Sequence, residues 1–412
     1  MRSYMKKMHM VNIEQITFDC FFFNIFCLDF LYRLIPNFII PSNILACVPI
    51  VLSFLCFFMK PRYTRLAQKE FLTFFVIVLF LLVNVMFGNE FLSKIIISPS
   101  FLVLSVFCIF LYTRLNLRNV IVHLRYISVI IGVFVIINAL TLIGETSEEI
   151  ANFYMAIGYA LSLQAMILFE ISRIQKKQYF SYIAICFSVF AMIFGNRGAL
   201  LVILVYVLIN FLFISKKNAS TEKRVFTFVV ILVMIIVFVI FHDTFFLLLY
   251  SFIKSMGIES RTLDKLVLGS FTTSLARNAI YENALNIIKI NPLIPKGIGY
   301  MTTLSLTGIY TFGGVNTNAH NIVLELLIEY GVVIGSIIFL VVLNKVIRSI
   351  KFEIMYSDNS VVSLSFCLLL QSIIQLFFSS SLYESNELWI GLVLLSFTKY
   401  QALNKLSNDR FL

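Results

Sequence analysis

The chain has 412 residues, 60% of them hydrophobic and 13% charged, against about 45–50% apolar and about 25% charged in soluble domains. That balance excludes a soluble globular protein. The formal net charge of +11 does not point to nucleic acid, because Lys and Arg are spread over many short loops and not gathered on one face or helix.

Apolar runs of 14 to 24 residues recur along the whole sequence, most of them near the roughly 20 residues a helix needs to cross the hydrocarbon. Lipid offers backbone groups no partner, and the runs lack the alternation of barrel strands, so the spans are helices. The expected fold is an all-α polytopic membrane protein, one bundle over residues 1–412 of about twelve transmembrane helices. They fall at 13–32, 43–59, 70–87, 95–112, 126–143, 152–171, 179–194, 199–214, 225–247, 320–343, 360–379 and 387–400.

The first run imitates a signal peptide, with Arg2, Lys6 and Lys7 ahead of an apolar stretch. Asp19 and Asp29 interrupt it and no small-x-small cleavage site follows, so it is expected to be retained as the first span. The seven cysteines all fall inside apolar runs without metal-like or disulfide-like spacing, and read as packing residues.

Direction follows from the basic residues in alternate connections. One set holds the amino terminus, Lys60, Arg62, Arg65, Lys69, Arg114, Arg118, Arg125, Arg173, Lys176, Lys177, Lys216, Lys217, Lys223, Arg224, Lys345, Arg348, Lys351 and the carboxyl end. The short loops of the other set hold Arg33, Lys94 and Arg197, with acidic tips at Glu145, Glu148, Glu149, Glu384 and Glu387. The positive-inside rule then places both termini in the cytoplasm.

One outward connection, residues 248–319, is far longer than the others, and structureless loops beyond about 12–15 residues are usually functional or disordered. Its stretch TTSLARNAIYENALNIIKINPLIPKGIGY predicts a helix that Ser274 can cap and that Asn291 and Pro292 stop. Ala276, Ile280, Asn283 and Ile287 recur there at helical spacing. Such a helix would lie along the outer membrane surface. Glycines 297, 299, 308, 313 and 314 then lead to His320. No internal repeat of the kind common in secondary transporters is visible.

Of the four histidines, His9 and His123 fall on the cytoplasmic side and His242 near the outer end of the ninth span. His320 opens the tenth span, where the bilayer meets the outside. An imidazole can take a proton from a hydroxyl near neutral pH, the task of a general base; it can equally hydrogen-bond a helix start. Arg197 in FGNRGAL sits on an outward hairpin, against the positive-inside bias, which calls for a partner; the bland reading is a snorkelling side chain. Arg277, near the start of the loop helix, has a planar fork of donors suited to phosphate beside free backbone N–H groups, or is an ordinary solvated arginine. Lys254, Arg261, Lys265, Lys289 and Lys296 add to the loop's positive field. Glu325 and Glu329, four apart, share a helix face below His320, and a structural interhelical pairing is the simplest account of them. Asp19, Asp29, Glu170 and Asp243 take the same structural reading. The sequence has no P-loop, nucleophile elbow, H-E-x-x-H or acidic pair suited to Mg²⁺ beside a diphosphate, so a metal-free mechanism is implied.

GNRGALL, LARNAIYENALNIIKINPLIPKGIGY and AHNIVLELLIEYGVVIG occur in this order, and over residues 195–335 the chain resembles the O-antigen polymerase and ligase superfamily of bacterial envelopes. Before that stretch only the topology agrees. The resemblance implies a glycosyltransferase of the lipid-carrier-dependent C-type fold without a cofactor, multi-pass in the inner membrane, its active site facing the periplasm. In that family a hydroxyl of an acceptor attacks the anomeric carbon of a glycan carried on undecaprenyl diphosphate, and the pyrophosphate leaves. His320 matches the family's histidine, a base or acceptor-orienting residue; Arg197 and Arg277 match arginines that bind the pyrophosphate, with Asn321, Glu325 and Glu329 in support. Asn196 stands where the family often has serine.

The implied partners are undecaprenyl-diphosphate-linked oligosaccharide, membrane lipid, a chain-length regulator and a flippase. A polymerase joining repeat units is the leading expectation, since AHNIVLELLIEYG looks more like that branch. A ligase moving finished glycan to lipid A core shares the donor chemistry, and a lipid-linked sugar transporter is the alternative from another class.

Overall fold

The computed structural model describes residues 120–141, 148–194, 197–214, 275–297, 321–378 and 385–396, with shorter pieces that include 22–23, 26, 247–248, 250–251, 254–255, 300, 311–312, 315–316 and 382. The expected spans at 43–59, 70–87, 95–112 and 225–247 lie outside the described residues, as does most of the first. The helices are α1 (Val120–Thr141), α2 (Glu148–Gln175), α3 (Tyr179–Phe194), α4 (Arg197–Ile209, continued by the π-helical turn Asn210–Ile214), α5 (Leu275–Ile290), α6 (Ile322–Met355), α7 (Ser360–Phe378) and α8 (Asn386–Ser396). Between α5 and α6, β1 (Thr311–Phe312) and β2 (Val315–Asn316) form a short antiparallel hairpin with Thr311 opposite Asn316.

Within these residues α1, α2, α6 and α7 are long and apolar enough to cross a membrane, and α3, α4 and α8 are shorter apolar helices. The protein is a helical membrane protein. α2 and α7 are its most enclosed helices and pack on each other. That position explains why α7 carries Ser363, Ser365, Gln371 and Ser372 among its Leu and Phe: no broad face of it meets lipid, and small or polar side chains tie helices together inside a bundle. α1 packs on α2, α3 and α7 through Leu124, Ile131, Val135 and Ala139, and turns Ile130, Val133, Ile137 and Leu140 outward. An apolar face left exposed in this way is a lipid-facing face.

α6 is two helices. Gly331, at φ 76° and ψ 163°, breaks it into α6a, residues 322–330, and α6b, residues 332–355. The expected straight span 320–343 is therefore corrected. At about 1.5 Å per residue α6a is about 13 Å long, too short for the hydrocarbon, while α6b reaches about 36 Å. α6a folds back onto α6b: a Cβ placed on Gly335 would lie 2.3 Å from the Leu326 carbonyl oxygen. α6b also continues past the expected end through Lys345, Arg348 and Lys351, whose unbranched stems suit a helix. α8 is described as far as Ser396, and the rest of the expected span, 397–400, lies outside the described residues.

The end of the bundle where α2 and α6b terminate is held by buried charge. Arg173 on α2 donates to Glu170 one turn earlier and to Glu353 on α6b. Tyr206 on α4 donates to Glu170 at 2.7 Å, Asn210 donates to Tyr206 at 3.0 Å, and Ser363 on α7 donates to Glu353 at 3.0 Å. Glu170 and Glu353 are fully buried. The structural reading of Glu170 fits this network; Arg173 does more than mark topology, which its place in a basic stretch concealed.

Candidate active site

The opposite end, bearing Asn321, is assembled from three segments far apart in sequence. α5 begins at Leu275 and ends at Ile290, as the stop at Asn291–Pro292 predicts. Its inward face is rotated from the expected one. Ile280 and Ala284 are buried against Ile328 of α6a with Ile287, Ile288, Tyr281 and Leu324 around them, and Asn283 is exposed. The loop helix is thus docked on α6a.

The segment after α5 completes the break in α6. Losing helical geometry at Gly331 frees carbonyl groups that would otherwise accept within the helix. The Lys296 N–H donates to the Ile328 carbonyl at 3.0 Å, the Gly297 N–H to the Glu329 carbonyl at 3.1 Å, and in return the Val332 N–H donates to the Pro292 carbonyl at 2.9 Å. A Cβ on Gly331 would stand 2.9 Å from the Leu293 carbonyl oxygen, and its positive φ is one that L side chains rarely adopt. The sequences NPLIPKG and EYGVVIG therefore meet backbone to backbone.

α6a starts at the N-cap Asn321, whose side-chain oxygen accepts from the N–H groups of Val323 at 2.9 Å and Leu324 at 3.4 Å. This satisfies two of the free donors of the first turn. Glu325 and Glu329 are buried, at 4% and 1% exposure. The Glu325 carboxylate accepts from the Leu382 N–H with both oxygens, at 3.3 and 3.2 Å. Glu325 thereby holds the backbone of the α7–α8 connection. Leu382 is fastened on its other side too, where its carbonyl accepts from the Trp389 indole of α8 at 3.2 Å.

Depth follows from ring contacts. Phe339 of α6b meets Phe377, one residue from the end of α7. Eight residues separate Phe339 from Gly331, so the corner at Gly331 stands about 12 Å beyond the end of α7, and α6a returns about that far.

Arg197 is the first residue of α4, and Arg277 lies in the first turn of α5, where the backbone N–H groups have no partner within the helix. The side chains of both, and the whole of His320, lie outside the described residues. Asn321, the chain neighbour of His320, is placed beside the Glu325–Leu382 contact.

Residues 182–340 match a family model described as O-antigen ligase. Over these residues the chain is similar to that family. The matched region holds α4, α5, α6a, the break at Gly331 and all of Arg197, Arg277, His320, Asn321, Glu325 and Glu329. A comparison with curated proteins finds no match. Members of that family are glycosyltransferase-like enzymes.

Proposed function

We propose that the protein is an envelope polysaccharide polymerase of the inner membrane. It transfers glycan from undecaprenyl diphosphate onto the non-reducing end of another carrier-linked repeat unit, at a site facing the periplasm. The observation that carries the reading is that the superfamily match spans both arginines and His320.

In this reading His320, next to the capped start of α6a, draws the proton from the attacking acceptor hydroxyl or orients it. Arg197 and Arg277, each in the first turn of a helix, bind the pyrophosphate as its charge develops. A guanidinium at a helix start sits against the positive dipole end, an arrangement that a bound anion favours. The about twelve-helix C-type fold, the flippase and the chain-length regulator belong to the same proposal.

The test is reconstitution with carrier-linked repeat units. The parent is expected to make a ladder of lengthened products, and His320→Ala to slow chain growth about 10²–10⁴-fold, the usual contribution of a general base. Unchanged growth in the variant removes His320 from the mechanism. The ligase reading is favoured by the description of the matching family model. It predicts that the parent leaves repeat units unextended and transfers preformed glycan to lipid A core.

A further inference from the structure

α5 spends its apolar side on α6a, where Ile280 and Ala284 are buried. The face it leaves exposed carries Glu282, Asn283, Asn286 and Lys289, with Leu285 the apolar exception. A helix lying along a bilayer needs the reverse, an apolar face turned to lipid. At the last residue of α5 the pattern inverts. Ile290, Leu293 and Ile294 are 74%, 70% and 64% exposed, and the first two are the most exposed large hydrophobic residues among those described.

This apolar tip is held rigidly. The Pro292 carbonyl accepts from the Val332 N–H, while the Lys296 and Gly297 N–H groups donate to the Ile328 and Glu329 carbonyls, so the segment is bonded to both sides of the break at Gly331. Pro292 and Pro295, on either side of Leu293 and Ile294, each fix a backbone φ. A braced segment that keeps large apolar side chains in the open marks an interaction surface.

α6b supplies the level. Val333, Ile334, Ile337, Leu340 and Val341 are turned outward, and Arg348 and Lys351 are exposed further along the same helix. From Val333 to Lys351 the helix rises about 27 Å, close to the about 30 Å of the hydrocarbon core. With Lys351 at one edge of that core, Val333 stands at the other. The tip, bonded to Val332, is therefore at the edge where the lipid-facing surface of α6b begins. Lys289 and Lys296 flank it along the chain and are both exposed; lysines on an apolar footing reach the phosphates of lipid headgroups.

We infer that Ile290, Leu293 and Ile294 enter the lipid leaflet at this end of the bundle, to the boundary between headgroups and acyl chains, with Lys289 and Lys296 on phosphate oxygens. The membrane contact of α5 is thus its tip and not its length. The occupant is phospholipid: three side chains are far short of the roughly 20–30 residues a side of a stable protein interface, and the patch adjoins a surface that lipid already covers. The inference is independent of the sugar-transfer reading. Its consequence is mechanical, since lipid then steadies the segment that completes the break above α6a.

The test uses the full chain in nanodiscs of phosphatidylethanolamine and phosphatidylglycerol. In a cysteine-free background, Ile294→Cys, Val333→Cys and Asn286→Cys each carry a bimane label. A phosphatidylcholine bearing a nitroxide high on its acyl chain is expected to quench the label at Ile294 within about twofold of that at Val333. Iodide in the water is expected to quench it at least about threefold less than the label at Asn286, on the polar face of α5. Equal iodide quenching at Ile294 and Asn286 overturns the inference, and is also the result expected if a protein partner, absent from the discs, covers the tip. Lys289→Glu with Lys296→Glu is expected to raise iodide access to the Ile294 label at least about twofold, and unchanged access removes the lysines from the contact. Should the cysteine-free chain not fold, the parent decides. A phosphatidylglycerol with a diazirine high on its acyl chain is expected to crosslink to residues 290–294 as well as to 333–341, and adducts on the second segment alone overturn the inference.

Discussion

Glu325 shows how one carboxylate near the membrane surface is put to use. Both of its oxygens face the Leu382 N–H, and burial of the residue makes that charge-assisted bond stronger than its length alone would imply. Removing the carboxylate leaves a buried N–H with one partner fewer, so Glu325→Ala is expected to lower stability by about 1–3 kcal/mol. Glu325→Gln, which keeps an acceptor oxygen, should lose less. Thermal unfolding of the purified protein in detergent checks the order; equal losses would mean that the contact with Leu382 contributes little. The pair of glutamates four apart was legible in sequence as a shared helix face. The partner of Glu325 was not, because a backbone N–H 57 residues away carries no residue-type signal.

At the level of elements, the motif EYGVVIG acquires a physical reading. Gly331 takes a backbone conformation almost restricted to glycine, and Gly335 lets the Leu326–Leu327 peptide lie directly on α6b. Gly331→Ala adds a side chain against the Leu293 carbonyl and a strained φ, for an expected loss of about 1–3 kcal/mol. Gly335→Ala forces α6a away from α6b, at a similar cost of about 1–3 kcal/mol for overpacking. Leu340→Ala, on the outward face of α6b, should change stability by less than about 0.5 kcal/mol. Melting curves of the three variants test this, and a neutral Gly335→Ala would sink the hairpin description. Hydropathy alone reads residues 320–343 as one span because a break that keeps its flanks apolar leaves no mark on an average. The end of α5 at Ile290, by contrast, falls where Asn291 and Pro292 predict, since proline acts locally.

Across the whole molecule, Arg173 joins α2 to α6b while Glu170 reaches α4 through Tyr206 and Glu353 reaches α7 through Ser363. Four helices thus share one buried ionic group. Arg173→Ala leaves two buried carboxylates without their cation, and breaking a buried pair in this way costs about 3–5 kcal/mol. A fall in melting temperature with faster trypsin cleavage of the detergent-solubilised protein is the expected result, and Arg173→Ala/Glu353→Leu should recover part of it. Sidedness is testable on the same scale. In a cysteine-free background, Gln178→Cys should react with a membrane-impermeant maleimide only after the cells are opened, and Asn283→Cys in intact spheroplasts. The reverse pattern would invert the proposed placement of the site.

By itself the sequence determined that this is a helical membrane protein and where several of its spans lie, and its ordered motifs over residues 195–335 carry the resemblance to the O-antigen polymerase and ligase superfamily. Those properties follow from hydropathy, local turn chemistry and ordered motifs, all of which are written along the chain. The tertiary structure decided that α6 folds back at Gly331, that residues 291–297 complete the break, that Glu325 holds Leu382, and that Arg173 lies among buried polar groups. Each of these depends on which distant segment supplies the missing hydrogen bond. A polar side chain inside a membrane protein announces that it needs a partner, and only packing says which one it finds.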